Sequence, residues 1–344
     1  MKSKFGSVKP QATPILEGQS IEIERFESDN PLPLVVRAKH QTTALTAWVR
    51  ANQEIVEEAL KLNGGILFRG FSLDGIDDFG GFVRSFHLEL LEYKERSTPR
   101  TKVGDRLYTS TEYPAHQHIA LHNEFSYSFT WPMRIFFFAS QAPESGGQTP
   151  IADSRRVYQG VAPDVSRRFT EKKVMYVRNY GTGIDLSWQE AFQTNDKAEV
   201  EEHCRRAPLD WEWLDGDRLR TCQVRPAVAQ HPITGEMVWF NQAHLFHVSN
   251  LGSETQESLY KVFNEQDLPR NAYYGDGSSF SSEDLDEVRR AYKEATVVFS
   301  WQPGDILMLD NMLVAHGRRP YSGQRRILVA LAQPYSLSAD MQTV

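Results

Sequence analysis

Hydrophobic residues along this chain follow two spacings. Over residues 43–62, apolar side chains at Leu45, Trp48, Val49, Ile55, Val56, Leu60 and Leu62 recur at roughly helical spacing, as a helix with one buried stripe requires. Gly64-Gly65 predict its end. A strand is expected at residues 66–71, then a short helix near 76–86 that Gly80 and Gly81 weaken. Ahead of these, residues 1–13 are rich in Lys, Ser, Gly and Pro, and a first extended piece falls at residues 21–24.

From Leu107 onward, short apolar runs are separated by Gly, Pro and Asn, the punctuation of strands. Strands are predicted near residues 119–124, 133–139, 148–153, 174–180, 222–229, 237–241, 297–300, 306–310, 313–316 and 326–333. Helices are predicted near 154–160, 163–171, 196–205, 254–265 and 281–295. The expected class is mixed α/β and mainly β, with a flexible arm at residues 1–20 and a single domain over 21–344. Residues 179–219, carrying Trp188, Phe192, Trp211 and Trp213, form a long insertion between strands, read as a lid or as a helical buttress.

Composition narrows the class. Apolar residues at 40% and charged residues at 24% suit a large core with a polar surface. A net charge of −7 argues against nucleic-acid binding, which needs clustered Lys and Arg. The basic stretch from Arg318 to Arg326 is a local exception. The two cysteines, Cys204 and Cys222, have neither metal-finger nor Cys-x-x-Cys spacing, so a reducing, cytoplasmic setting is expected. No apolar run has signal-peptide or membrane-span length; the aromatic run Ile135-Phe136-Phe137-Phe138-Ala139 is that of a buried strand.

Candidate chemistry begins at His122-Asn123-Glu124. On a strand, His122 and Glu124 would share a face while Asn123 points away. The triplet follows the apolar Ile119-Ala120-Leu121 and precedes Phe125, and a buried carboxylate and imidazole there need a partner such as a cation. The run from Gly304 to Arg318 reads as turn, strand, tight Asp-Asn turn and strand, with His316 at the second strand's end. His316 is either a core histidine bonded to a carbonyl or the second imidazole of a two-histidine, one-carboxylate metal face. Arg326 opens the apolar run Ile327-Leu328-Val329-Ala330-Leu331; period two places it with Leu328 and Ala330, facing inward, where a guanidinium calls for a carboxylate. Arg318, Arg319 and Arg325 are expected at the mouth of the site.

The arrangement resembles the taurine dioxygenase and clavaminate synthase superfamily of Fe(II)/2-oxoglutarate dioxygenases from about Gly64 to Tyr335. The runs Tyr108–Pro114, Leu121–Ser128, Trp239–His247 and Leu268–Gly277 resemble the branch typified by the syringomycin-biosynthesis aspartyl hydroxylase. The resemblance implies a double-stranded β-helix (jelly-roll) core with flanking helices and a helical lid insertion. It also implies Fe(II), 2-oxoglutarate and O2, with His122, Glu124 and His316 as iron ligands. Arg326 and Thr149 would bind the distal carboxylate of 2-oxoglutarate, and Gly146-Gly147 would be the turn before a strand. The arginine that some members carry four places beyond the 2-oxoglutarate arginine is Ala330 here, so its substrate role does not transfer.

Related halogenases lack the carboxylate ligand, so Glu124 implies hydroxylation of an unactivated C–H bond, coupled to conversion of 2-oxoglutarate to succinate and CO2. The implied substrate is an amino acid, among them aspartate or a related residue tethered to a peptidyl carrier protein in nonribosomal peptide biosynthesis. Free small acids, and desaturation as outcome, stay open. Asn241 and His244 are candidates for substrate contact, with at most one of His244 and His247 facing the site. His116 and His118 would lie near the iron strand, and His40, His87, His203 and His231 read as structural or exposed. A zinc hydrolase could use the same His and Glu donors but has no use for the anion clamp. Outside the enzymes, the alternative is a β-barrel binding protein.

Overall fold

The computed structural model describes residues 20–27, 30–40, 42–73, 75–93 and 100–336. Apart from residue 20, the arm assigned to residues 1–20 lies outside them. Among the described residues an eight-stranded sheet runs in the order Ile21–Glu27, Asn30–Ala38, Gly65–Arg69, Ile306–Asp310, Thr130–Gln141, Arg326–Ser336, Leu107–Thr109, Lys102–Gly104. A four-stranded antiparallel sheet runs Thr296–Phe299, Thr149–Asp153, Val314–Arg318, Ile119–His122.

The large sheet is buried on both faces, which explains its unbroken apolar runs. Met133, Ile135, Phe137 and Ala139 join Leu307, Leu309, Ile327, Val329 and Leu331 in one core with Ile151, Val297, Phe299 and Val314 of the small sheet. The alternate residues Phe136, Phe138, Met308, Leu328 and Ala330 pack the other way, against Val49, Val56, Leu60, Phe79 and Phe82 of the N-terminal helices. At about 25 cal/mol per Å2 of apolar surface, fully burying a side chain of this size stabilises by roughly 1.5–3 kcal/mol.

The first helix of the sequence reading is two helices, Leu45–Ala51 and Gln53–Asn63. Asn52 breaks it by leaving helical geometry (φ −127°) and donating its side-chain amide to the Trp48 carbonyl at 2.8 Å. Gly64 ends the pair in the left-handed region (φ +75°), where an added Cβ would also lie 2.6 Å from Val314 Cγ2.

The expected hairpin at residues 304–316 is absent. Ile306–Asp310 belongs to the large sheet and Val314–Arg318 to the small one, so Asn311-Met312-Leu313 carry the chain between sheets. The Asp-Asn pair marks that crossing for a physical reason: buried Asp310 accepts the Met312 and Leu313 N–H groups and is paired with Arg134 at 2.5 Å. His231, read from sequence as structural or exposed, is buried and joins this network at 3.2 Å.

The insertion at 179–219 folds into regular elements. It supplies helices Trp188–Phe192 and Lys197–Arg206 and the strand Asp210–Leu214, which edges a four-stranded sheet with Arg218–Arg225, Val174–Tyr180 and Arg270–Tyr274. Trp188, Phe192, Val200, Cys204 and Leu209 close a small core of their own. Its side chains are thereby committed to one another, and the described lining of the cavity considered below draws none from it.

Candidate active site

The strand Ile119–His122 ends at His122, and Glu124 lies in the following turn, where Phe125 adopts φ +57°. Convergence of the two side chains thus comes from a turn rather than from strand alternation. That turn is fixed from behind. Asn311 accepts the Glu124 N–H at 2.7 Å and donates to the Glu124 and Pro132 carbonyls at 2.8 and 2.9 Å, while Asn123 donates to Ser154 and to the Asn311 carbonyl. His316 sits in the middle of its strand, not at its end, directly opposite His122 in the register.

His122, Glu124 and His316 bring one ligand atom each to within 4.8 Å of one another, the one such cluster of three among the described residues. His316 Nε2 is 3.7 Å from Glu124 Oε2, and the two imidazole centroids are 4.6 Å apart. His122 Nδ1–H donates to the Ala120 carbonyl at 2.8 Å, which leaves Nε2 with its lone pair. Burial first, then His316, pushes His122 down to about 4, so it is neutral at ordinary pH. Burial works to raise the Glu124 carboxyl, but Arg100 and the two imidazoles outweigh it and hold it below the usual carboxylate range. Two imidazoles and a carboxylate whose ligand atoms converge this closely fit a divalent iron with open positions.

The placing of the arginines departs from the sequence reading. Arg326 is exposed and stands opposite Gln141, beside a register shift between Arg326 and Ile327. Arg325 is the inward residue: it lines the same cavity as His122, His316 and Thr149 and donates to the Gly147 carbonyl at 3.1 Å and the Ser110 hydroxyl at 3.3 Å. The cavity side of this strand is that of Ile327, Val329 and Leu331, not of Leu328 and Ala330. Counting four places from Arg325 gives Val329, so that position is apolar under either numbering. Burial, then neighbouring Arg318, brings Arg325 down to about 10, still protonated at neutral pH. Gly146-Gly147 form the expected turn before the strand Thr149–Asp153; both have positive φ, and a Cβ on Gly147 would crowd Arg325 Cδ at 3.1 Å.

Arg318, expected at the mouth, is buried. It donates to the carbonyls of Tyr113, Pro114 and Gln117 at 2.7–3.0 Å and clamps the loop that carries exposed His116 and His118.

Asn241 and His244 do not line the described cavity. Both are buried, on or beside a helical turn, Ala243–Phe246, where a strand end was expected. Asn241 bonds the Ala227 carbonyl and the Ala243 N–H. His244 donates to the Leu121 carbonyl at 2.9 Å, and neighbouring Gln242 donates to the Asn123 carbonyl at 2.7 Å. The carbonyls on either side of His122 are therefore held by this segment. Arg100, Ser110 and Trp301 were missed from sequence. Trp301 donates to the Thr149 hydroxyl at 3.0 Å, and Ser110 and Arg100 line the cavity. Their signal was modest: Ser110 lies in a run already singled out, whereas Arg100 and Trp301 have no spacing relation to the ligands.

A two-histidine, one-carboxylate cluster in reach of a half-buried guanidinium suits the class of Fe(II)- and 2-oxoglutarate-dependent dioxygenases. The family model for the taurine catabolism dioxygenase TauD, TfdA family matches residues 28–331, and the chain belongs to that family. It is 43% identical over 319 residues to the dapdiamide synthesis protein DdaC of Enterobacter agglomerans, covering 91% of this chain and 97% of that protein. A clavaminate synthase-like protein of Arabidopsis thaliana is 30% identical over 300 residues, covering 84% and 87%. Among solved structures, PvcB of Pseudomonas aeruginosa shares the fold with a TM-score of 0.54, 13% identity and 94% coverage of each chain.

The protein is a dioxygenase that uses Fe(II), 2-oxoglutarate and O2. When bound, Fe(II) and 2-oxoglutarate would activate O2, which is the oxidant, with 2-oxoglutarate giving up two electrons in its conversion to succinate and CO2. The chain supplies two imidazoles and a carboxylate held by backbone hydrogen bonds, with an apolar ring beside them, Phe137 against His316 at 5.0 Å.

Proposed function

We propose that the enzyme hydroxylates an unactivated C–H bond of an amino acid in secondary-metabolite biosynthesis, with aspartate or a related residue tethered to a peptidyl carrier protein as substrate. In this reading His122, Glu124 and His316 hold the iron, and Arg325 with Thr149 binds the distal carboxylate of 2-oxoglutarate. The large and small sheets correspond to the two sides of a double-stranded β-helix. The observation that carries the reading is that both imidazoles of the donor cluster line one cavity with Arg325 and Thr149. Glu124 as third ligand favours hydroxylation, since the position is filled by a carboxylate rather than left to a halide.

The biosynthetic role is supported by the likeness to a dapdiamide synthesis protein. A cytoplasmic setting suits Cys204 and Cys222, neither of which is in a disulfide, and no described helix is long and apolar enough to cross a membrane.

The test is oxygen-dependent succinate formation measured across free amino acids and the same residues loaded on a carrier protein, with mass analysis of each product. Turnover with carrier-bound aspartate and a gain of one oxygen atom is expected. Equal or better turnover of a free amino acid would remove the tethering, and loss of two hydrogens would replace hydroxylation by desaturation.

A further inference from the structure

We propose that Arg100 is a positioning residue of the metal centre, holding one oxygen of Glu124 so that this carboxylate meets the metal through a single oxygen. The inference rests on the reading of His122, Glu124 and His316 as the ligands.

Three guanidinium groups line the cavity, and each has a different engagement. Arg325 turns to Gly147 and Ser110, and Arg318 is surrounded by loop carbonyls. Arg100 alone of the three is directed at a candidate ligand: its Nη2 donates to Glu124 Oε2 at 3.0 Å, with side chains only 4% and 8% exposed. A pair this deeply buried is a poor source of net stability, because desolvation offsets the attraction. What it provides is geometry.

That geometry is enforced from both ends. The Arg100 guanidinium lies 4.2 Å above the centroid of buried Tyr93, and Tyr93 is wedged against Tyr108 at 5.3 Å and Phe125 at 5.2 Å. Asn311 fixes the main chain of Glu124, but a glutamate side chain keeps several free torsions beyond its backbone. Arg100 removes that freedom at the carboxylate itself. A carboxylate can bind a metal through one oxygen or two. Bound through both, it would occupy a position that the facial arrangement leaves open for co-substrate or oxygen. Oε2 is also the oxygen 3.7 Å from His316 Nε2, so Arg100 fixes the oxygen nearest the second imidazole and with it the rotation of the carboxylate, and the one-oxygen mode is selected before the metal arrives.

The test uses Co(II) as a spectroscopic probe in the full-length protein, with Arg100→Gln and Arg100→Lys compared with wild type and with His122→Ala. Circular dichroism verifies folding. The Co(II) visible bands report coordination number, and anaerobic titration of the Fe(II) protein gives the affinity for 2-oxoglutarate. Arg100→Gln is expected to alter the Co(II) spectrum towards higher coordination and to weaken 2-oxoglutarate binding roughly 10–100-fold, the usual consequence of losing an outer-shell partner. Arg100→Lys, which retains a cationic donor, is expected to stay closer to wild type and carries the comparison if Arg100→Gln does not fold. A Co(II) spectrum unchanged in the folded variant overturns the proposal, whatever happens to 2-oxoglutarate. A wild-type spectrum that survives His122→Ala instead overturns the ligand assignment itself.

Discussion

Trp301 donates its indole N–H to the Thr149 hydroxyl oxygen over 3.0 Å, so the Thr149 proton is left to point elsewhere. Thr149 and Arg325 line the same cavity. Trp301→Phe keeps the apolar bulk and removes only the donor. One neutral hydrogen bond contributes about 0.5–1.5 kcal/mol, so the KM for 2-oxoglutarate is expected to rise roughly 2–10-fold with a smaller change in kcat. Steady-state kinetics with 2-oxoglutarate as varied substrate checks this; an unchanged KM would mean that Thr149 needs no orientation.

Neighbouring arginines should behave in opposite ways. Arg325→Gln removes a charge-assisted contact of about 1.5–3 kcal/mol and is expected to weaken 2-oxoglutarate binding by one to two orders of magnitude. Arg326→Gln, on an exposed side chain, is expected to lie within about 0.5 kcal/mol of wild type in affinity and stability. Anaerobic titration of both variants decides the matter, and the reverse ranking would restore Arg326 as the clamp.

Gly317 touches the ligand strands directly. A Cβ there would stand 2.6 Å from the Ile119 carbonyl oxygen and 3.3 Å from the Leu121 nitrogen. Gly317→Ala should push the strand Ile119–His122 away from Val314–Arg318, at a cost of about 1–3 kcal/mol for overpacking. Chemical denaturation measures the loss, and metal titration should show weaker binding as His122 and His316 separate. Wild-type values in both would refute the rigidity claimed for this contact.

Acid should unfold the protein partly through His244. Burial depresses it from 6.5 to about 3. A depressed folded pKa means that stability is fully present above the unfolded value of 6.5 and is lost as pH falls from there towards 3, because the unfolded chain takes up the proton first. Between pH 7 and pH 5 this one histidine should cost roughly 2 kcal/mol. Urea denaturation at both pH values, repeated with His244→Gln, is expected to show a shallower pH slope in the variant; equal slopes would indicate that His244 does not stay neutral in the fold.

The ligand triad was legible because His122, Glu124 and His316 are polar groups embedded in apolar runs, which burial makes conspicuous. Most strands were legible from the same runs. The choice between Arg325 and Arg326 was not, because the strand Arg326–Ser336 is apolar on both faces and alternation alone cannot say which face adjoins a cavity. The bulge at its first residue removes even the parity. The crossing at residues 311–313 was read as a hairpin since Asp-Asn is turn chemistry in either setting. Asn241 and His244 drew attention by residue type; Asn241 bonds nearby Ala227 and Ala243, whereas the hold that His244 and Gln242 keep on the backbone around His122 depends on contacts with residues more than a hundred positions away.

Asn311 binds the Glu124 turn on one side and begins the crossing that leads to His316 on the other. Some 187 residues separate the partners of that bond. During synthesis His122 and Glu124 therefore emerge long before anything can hold them in place, and the iron site stays half-built until the strand bearing His316 has docked. In the proposed reading metal loading is a late event of folding, and iron that binds tightly marks a chain whose strands Ile119–His122 and Val314–Arg318 have already paired.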